Sequence, residues 1–224
     1  MTDINSADLN GFQSLTKRNF TNMKFSHVTT PEKGNSSSLV FSSQVAQTET
    51  AVKNGVAGFI VLEKIYDQVK PLFSDKHCVW TTKQINAAMV EVLAVFDRTT
   101  KEGGIHPSAI VHATAKIGKQ VRIGEYAVIK EHVIIGDHTI ISAHVVIESY
   151  CEIGALCRIA SHTTIGSDGF GYYTDKNFAH HKIPQIGKVV IEDHCDLGSH
   201  CSVDRATLTE TRIKAGSKLD NFCH

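Results

Sequence analysis

From residue 105 onward an aliphatic side chain recurs at each sixth position: Ile105, Val111, Ile117, Ile123, Ile129, Ile135, Ile141, Ile147, Ile153, Ile159 and Ile165. The position one later is mostly small or turn-permitting, as at Gly118, Gly124, Gly136, Ser142, Gly154, Ala160 and Gly166. The position four later holds a small or medium residue, as at Ala109, Ala127, Val133, Thr139, Val145, Cys151 and Cys157. A fixed internal period is the mark of a stacked repeat. Three such hexads make one triangular coil, with a short strand along each side and a turn at each corner. The aliphatic residue points into the narrow prism, and its companion four later must be slim to share that space. Glycine is expected at the corner because positive φ is cheap without a Cβ. Successive coils then pair backbone groups at the strand spacing of about 4.8 Å. The expected class is mainly β: a parallel β-helix over residues 104–224.

Two interruptions mark this pattern. The register breaks after Ile165 and resumes at Ile191, Leu197 and Val203; it slips again through Thr207–Thr211 and returns at Ile213 and Leu219. Insertions in a solenoid leave the stack as loops on one face, where binding groups collect. The first insertion runs Ser167-Asp168-Gly169-Phe170-Gly171-Tyr172-Tyr173 through Lys182-Ile183-Pro184. Its glycine and aromatic content suits closure over a flat or greasy ligand, and equally suits packing against a neighbouring subunit.

Before Gly103 the hexad rule fails. Residues 38–42, 57–62 and 77–80 read as short strands; 44–54, 65–73 and 83–96 read as helices, the last from the spacing of Ile85, Ala88, Met89, Val92, Leu93 and Phe96. Strands alternating with helices indicate a small α/β domain over 23–103. Residues 1–22 carry little apolar period and are expected to be a flexible lead-in.

Charge and cysteine content narrow the classes. Lys plus Arg number 23, as do Asp plus Glu, so no excess charge invites nucleic acid. No apolar run approaches the roughly 18 to 20 residues of a membrane span, and the N-terminus lacks a secretory pattern, so a cytoplasmic protein without an integral membrane segment is expected. Of the six cysteines, Cys151, Cys157, Cys195, Cys201 and Cys223 fall on the repeat, and no C-x-x-C pair exists. They read as inert core thiols. Many of the 13 histidines share one hexad position, three after the aliphatic residue: His132, His138, His144, His162, His194 and His200. His144 and His162 would stack on adjacent coils. Zinc binding is one reading of them; a solvated ladder is the other.

Gly166-Ser167-Asp168-Gly169-Phe170-Gly171-Tyr172, Lys182-Ile183-Pro184-Gln185, Asp204-Arg205 and Leu219-Asp220-Asn221, with Ile105-His106-Pro107 ahead of the repeat, resemble the UDP-3-O-(3-hydroxyacyl)glucosamine N-acyltransferases of lipid A biosynthesis. The resemblance implies a left-handed β-helix and a uridine-binding-like N-terminal domain. It also implies transfer of a 3-hydroxyacyl chain from acyl carrier protein to the 2-amino group of a UDP-sugar, in a homotrimer and without metal or organic cofactor. Gly169, Phe170, Gly171, Tyr172, Asp220 and Asn221 would be substrate-binding. The family's base histidine would lie three residues past His224, which itself occupies a spacer position. On that ground no catalytic residue is assigned, and the chain is expected to be an inactive C-terminally truncated piece. Val40 and Ala46 stand where the family stacks uracil on aromatic rings, and Ala206 where glycine commonly follows Asp-Arg. The other readings are a different hexapeptide acyltransferase, a zinc-dependent β-helix protein of the carbonic anhydrase type, and a non-catalytic oligomerising remnant.

Overall fold

A computed structural model describes residues 3–97 and 103–224, which fall into two compact units split between residues 99 and 100. In the first unit a five-stranded sheet runs in the order 16–19, 78–82, 58–62, 38–42, 27–29. Its inner pairings are parallel, and the edge pair of 16–19 with 78–82 is antiparallel. Strand alternation sends Leu39, Ile60 and Trp80 to one core and Val40, Phe59, Val61 and Val79 to the other. A sheet buried on both faces needs such near-continuous apolar strands. Helices Val45–Lys53 and Ile85–Phe96 form as the pattern indicates, while the expected helix at 65–73 is only a four-residue α-turn, Tyr66–Val69, flanked by 3-10 turns.

The flexible lead-in expected over residues 1–22 is corrected. Residues 1 and 2 lie outside the described set, but Leu9 is fully buried, and 16–19 is a sheet edge with Lys17 opposite Trp80. Its polar composition concealed it, because an edge strand shows polar side chains to water. Arg18 Nε donates to Thr81 Oγ1 at 2.9 Å, and Trp80 Nε1 donates to Asn10 Oδ1 at 3.1 Å.

The second unit is the β-helix. Short strands, mostly of two residues, stack into three parallel sheets, here called faces one, two and three, the chain entering on face two and passing in turn to three, one and two. Face one holds the strands of Ile117, Ile135, Ile153, Ile191 and Ile213; face two those of Ile105, Ile123, Ile141, Ile159, Leu197 and Leu219; face three those of Val111, Ile129, Ile147, Ile165 and Val203. The repeat and its parallel stacking are those of a left-handed β-helix. Ile123 through Ile165 are almost wholly buried, with Ala127, Val133, Val145, Cys151 and Cys157 as their slim companions. Each such isoleucine contributes on the order of 2 kcal/mol over an exposed one. Ile117, Ile213 and Leu219, in the outer coils, are only partly buried.

One corner rule is corrected. The left-handed backbone conformation falls three after the aliphatic residue, at Tyr126, His132, His144, Tyr150, His162, His200 and Phe222 (φ from 56° to 66°), and among the corner glycines Gly118, Gly124, Gly136, Gly154 and Gly166 only on Gly166. Those glycines serve close approach: a Cβ on Gly136 would sit 2.5 Å from the Ala155 nitrogen of the next coil. The thiols are also more than apolar filler. Cys157, Cys195 and Cys201 Sγ donate to carbonyls of the next coil at 3.2, 3.1 and 3.1 Å, as Thr139 and Thr163 hydroxyls do at 2.7 Å. Burial pushes the Cys151 and Cys157 thiols up from their usual range, which leaves them unreactive.

Candidate active site

Both interruptions of the hexad fall at one corner, between faces three and one. Residues 172–174 and 180–182 pair as an antiparallel hairpin, and residues 206–209 leave the stack at the same corner one coil later. Segments far apart in sequence close on each other here. Lys182 Nζ pairs with the Asp168 carboxylate, and that hydrogen bond holds Asp168 below the usual carboxylate range and Lys182 above the usual ammonium range. Arg205 Nε donates to Gly166 O at 2.7 Å, and its guanidinium reaches Ser149 O at 3.2 Å. Gly166 has φ +90°, and a Cβ there would meet Cys151 Sγ at 2.4 Å. Gln185 accepts from Thr207 Oγ1 at 2.9 Å and donates to Ile183 O at 2.9 Å.

On this base stands an aromatic loop. Phe170 is 94% exposed, with its ring 4.9 Å from Tyr172. Phe170, Tyr172, Thr174 and His180 line a mostly apolar depression on one face of the hairpin. Thr174 Oγ1 lies 2.9 Å from His180 Nδ1, which orients that imidazole. Thr174 and His180 went unassigned in the sequence, although period-two spacing from Tyr172 through Lys182 puts them on Tyr172's face. On the opposite face the Asp175 carboxylate accepts from the Asn177 and Ala179 amides at 2.8 and 3.0 Å and pairs with His181 at 2.9 Å, which closes the hairpin turn.

Asp220 and Asn221 sit elsewhere, at the corner between faces two and three. Asn221 Oδ1 accepts from the Ser199 amide at 2.7 Å. Asp137 and Asp193, at the equivalent hexad position, accept from the Lys119 and Ala155 amides one coil below, also at 2.7 Å. Asn221 therefore bridges coils in this chain. The same corner carries a ring ladder, Tyr126, His144, His162, His200 and Phe222, with centroid spacings of 5.2, 4.8, 4.8 and 5.2 Å. The imidazole planes lie within 4° of parallel, so their nitrogens run side by side instead of converging. Among the described residues no group of three His, Cys, Asp or Glu is poised for a metal. His224 Nε2 lies 3.7 Å from Asp204. In the first unit Val40 is fully buried and Ala46 is exposed, so neither offers a ring to a base.

These features define a hexapeptide-repeat β-helix, and the family model for the bacterial transferase hexapeptide (six repeats) matches residues 114–149 and 132–167. Over a partial region the chain resembles the UDP-3-O-acylglucosamine N-acyltransferases. The Geobacter sp. (strain M21) protein of that name is 48% identical over 60 residues, 27% of this chain and 17% of that protein. The Desulfotalea psychrophila protein is 48% identical over 62 residues, 28% of this chain and 18% of that protein. The matched stretch thus spans under a fifth of the relatives' length. The solved UDP-N-acetylglucosamine acyltransferase of Francisella novicida aligns with a TM-score of 0.46 and 27% identity, over 54% of this chain and 44% of that one. No helix among the described residues is long and apolar enough to cross a membrane.

Proposed function

We propose that the protein is an N-acyltransferase that moves a 3-hydroxyacyl chain from acyl carrier protein to the 2-amino group of a UDP-3-O-acylglucosamine, in the cytoplasm. The observation that carries this reading is the convergence of Asp168–Lys182, Gln185 and Arg205 beneath the Gly169–Tyr172 loop. Those are the segments that carry the resemblance, and the relatives are named UDP-3-O-acylglucosamine N-acyltransferases. The amine nitrogen attacks the thioester carbonyl; a C–N bond forms, the C–S bond breaks, and the thiolate leaves with the carrier. A base takes the amine proton, and hydrogen-bond donors stabilise the oxyanion. In this reading Gly169, Phe170, Gly171 and Tyr172 contact substrate.

Asp220 and Asn221 lie one corner away from that loop. A homotrimer that faces the loop of one copy with the opposite corner of its neighbour would bring both sets to one site. The test is acyl transfer by the whole protein. Phe170→Ala should lower kcat/KM by roughly tenfold or more if the ring contacts substrate. Absence of transfer, or transfer that depends on added zinc, would refute the assignment; transfer that is indifferent to Phe170→Ala would take the loop out of the substrate site.

A further inference from the structure

We propose that Gln185 is a positioning residue for the Gly169–Tyr172 loop, through a hydrogen-bond relay that begins on the following coil. The proposal rests on the reading of that loop as a substrate contact. Gln185 is 9% exposed, whereas the next residue, Ile186, is 73% exposed. A lone buried amide among exposed neighbours needs partners for both of its ends. Thr207 Oγ1 supplies a donor to Oε1 at 2.9 Å, and Nε2 donates to Ile183 O at 2.9 Å. The Ile183 amide in turn donates to Gly171 O at 2.9 Å. The order of support is therefore Thr207, Gln185, Ile183, Gly171.

The loop is fitted to this amide. A Cβ on Gly169 would lie 3.1 Å from Gln185 Oε1, and one on Gly171 would lie 3.1 Å from Nε2. Both glycines thus lay bare backbone against opposite ends of the same side chain, with Phe170 between them and pointing into solvent. The far end of the relay is held too, because the Ile186 amide donates to Thr207 O and the Gly187 amide to Ala206 O, each at 3.0 Å. An exposed aromatic on a free loop loses rotational freedom when it binds; one on a pinned base has lost most of it beforehand.

The experiment compares Gln185→Ala, Thr207→Val, Thr207→Ser and Phe170→Ala in the full chain by hydrogen exchange and by affinity for UDP-3-O-acylglucosamine. Thr207→Val removes the relay's first donor from a surface position and Thr207→Ser keeps it, so the test survives if Gln185→Ala fails to fold. Exchange at the Gly171 and Ile183 amides should rise roughly tenfold in Gln185→Ala and Thr207→Val and stay at wild type in Thr207→Ser. Amides of Gly136 and Ser142 should not change. Affinity should fall in Gln185→Ala as far as in Phe170→Ala, and Thr207→Ser should retain it. Unchanged exchange in both Gln185→Ala and Thr207→Val overturns the relay. Faster exchange with full affinity, while Phe170→Ala binds weakly, reduces Gln185 to a structural role and overturns the positioning claim. If Phe170→Ala itself binds normally, the substrate reading of the loop falls, and the exchange result alone decides the relay.

Discussion

Two corners of the same β-helix solve the problem of turning the chain in opposite ways. Between faces two and three the hexad never misses from Tyr126 to Phe222: rings stack coil upon coil, and Asn221 bonds to the same position one coil below. Between faces three and one the hexad breaks twice, and the partners there are Arg205 with Gly166, Lys182 with Asp168 and Gln185 with Thr207. The periodic corner spends its side chains on its own stacking. The interrupted corner uses them to hold a loop that the stack does not need, so its polar contacts are the better guide to function. Residues of non-glycine type in the left-handed region cost about 1 kcal/mol or more each, and the ring stacking along the periodic corner offsets part of that.

The comparison can be broken or sharpened by substitution, beginning with the core that both corners share. Ile141→Ala should cost about 4 kcal/mol in urea unfolding, because a fully buried rung leaves a cavity that two-residue strands cannot close. Gly166→Ala, at the interrupted corner, should cost about 3 kcal/mol in the same measurement, from strain at φ +90° and the clash with Cys151. Arg205→Ala should cost about 2 kcal/mol and also speed tryptic cleavage at Lys182, since two bonds from a charged donor are lost. At the periodic corner Asn221→Ala should cost only about 1 kcal/mol, and Asn221→Asp should be close to neutral, as Asp193 makes the same bond. A large loss of ligand affinity in Asn221→Asp with stability intact would instead assign that side chain to substrate.

The smallest effect concerns acid. Asp168 is held below its ordinary value by Lys182, so its pairing supports the hairpin above the unfolded carboxylate pKa of about 3.9 and is lost as pH falls through the lower folded value. Amide exchange in residues 172–182, corrected for intrinsic rate, should be flat from pH 7 to pH 5 and rise below about pH 4; Asp168→Asn should show the faster rate throughout.

Much of this molecule was legible before its coordinates. The sixth-residue rule identified Ile123 through Ile165 as core, and the two slips located both interruptions of the corner. Four kinds of feature were not legible. The strand at 16–19 is polar because it is an edge. The corner glycines other than Gly166 answer to the neighbouring coil and not to their own φ. Asn221 carries the resemblance as a substrate contact, yet its oxygen is engaged in coil bridging. Thr174 and His180 became visible once the hairpin register paired them.

The amino-acid order alone determined the prism, because a period of six repeated along the chain leaves one way to bury all the isoleucines together. It also determined where the stack is interrupted. Which interrupted segments meet was decided only by tertiary structure: Asp168, Gln185 and Arg205 are brought together by the return of the chain to the same corner after one coil. Local sequence rules carry periodicity, whereas contacts across a coil depend on how the whole stack closes.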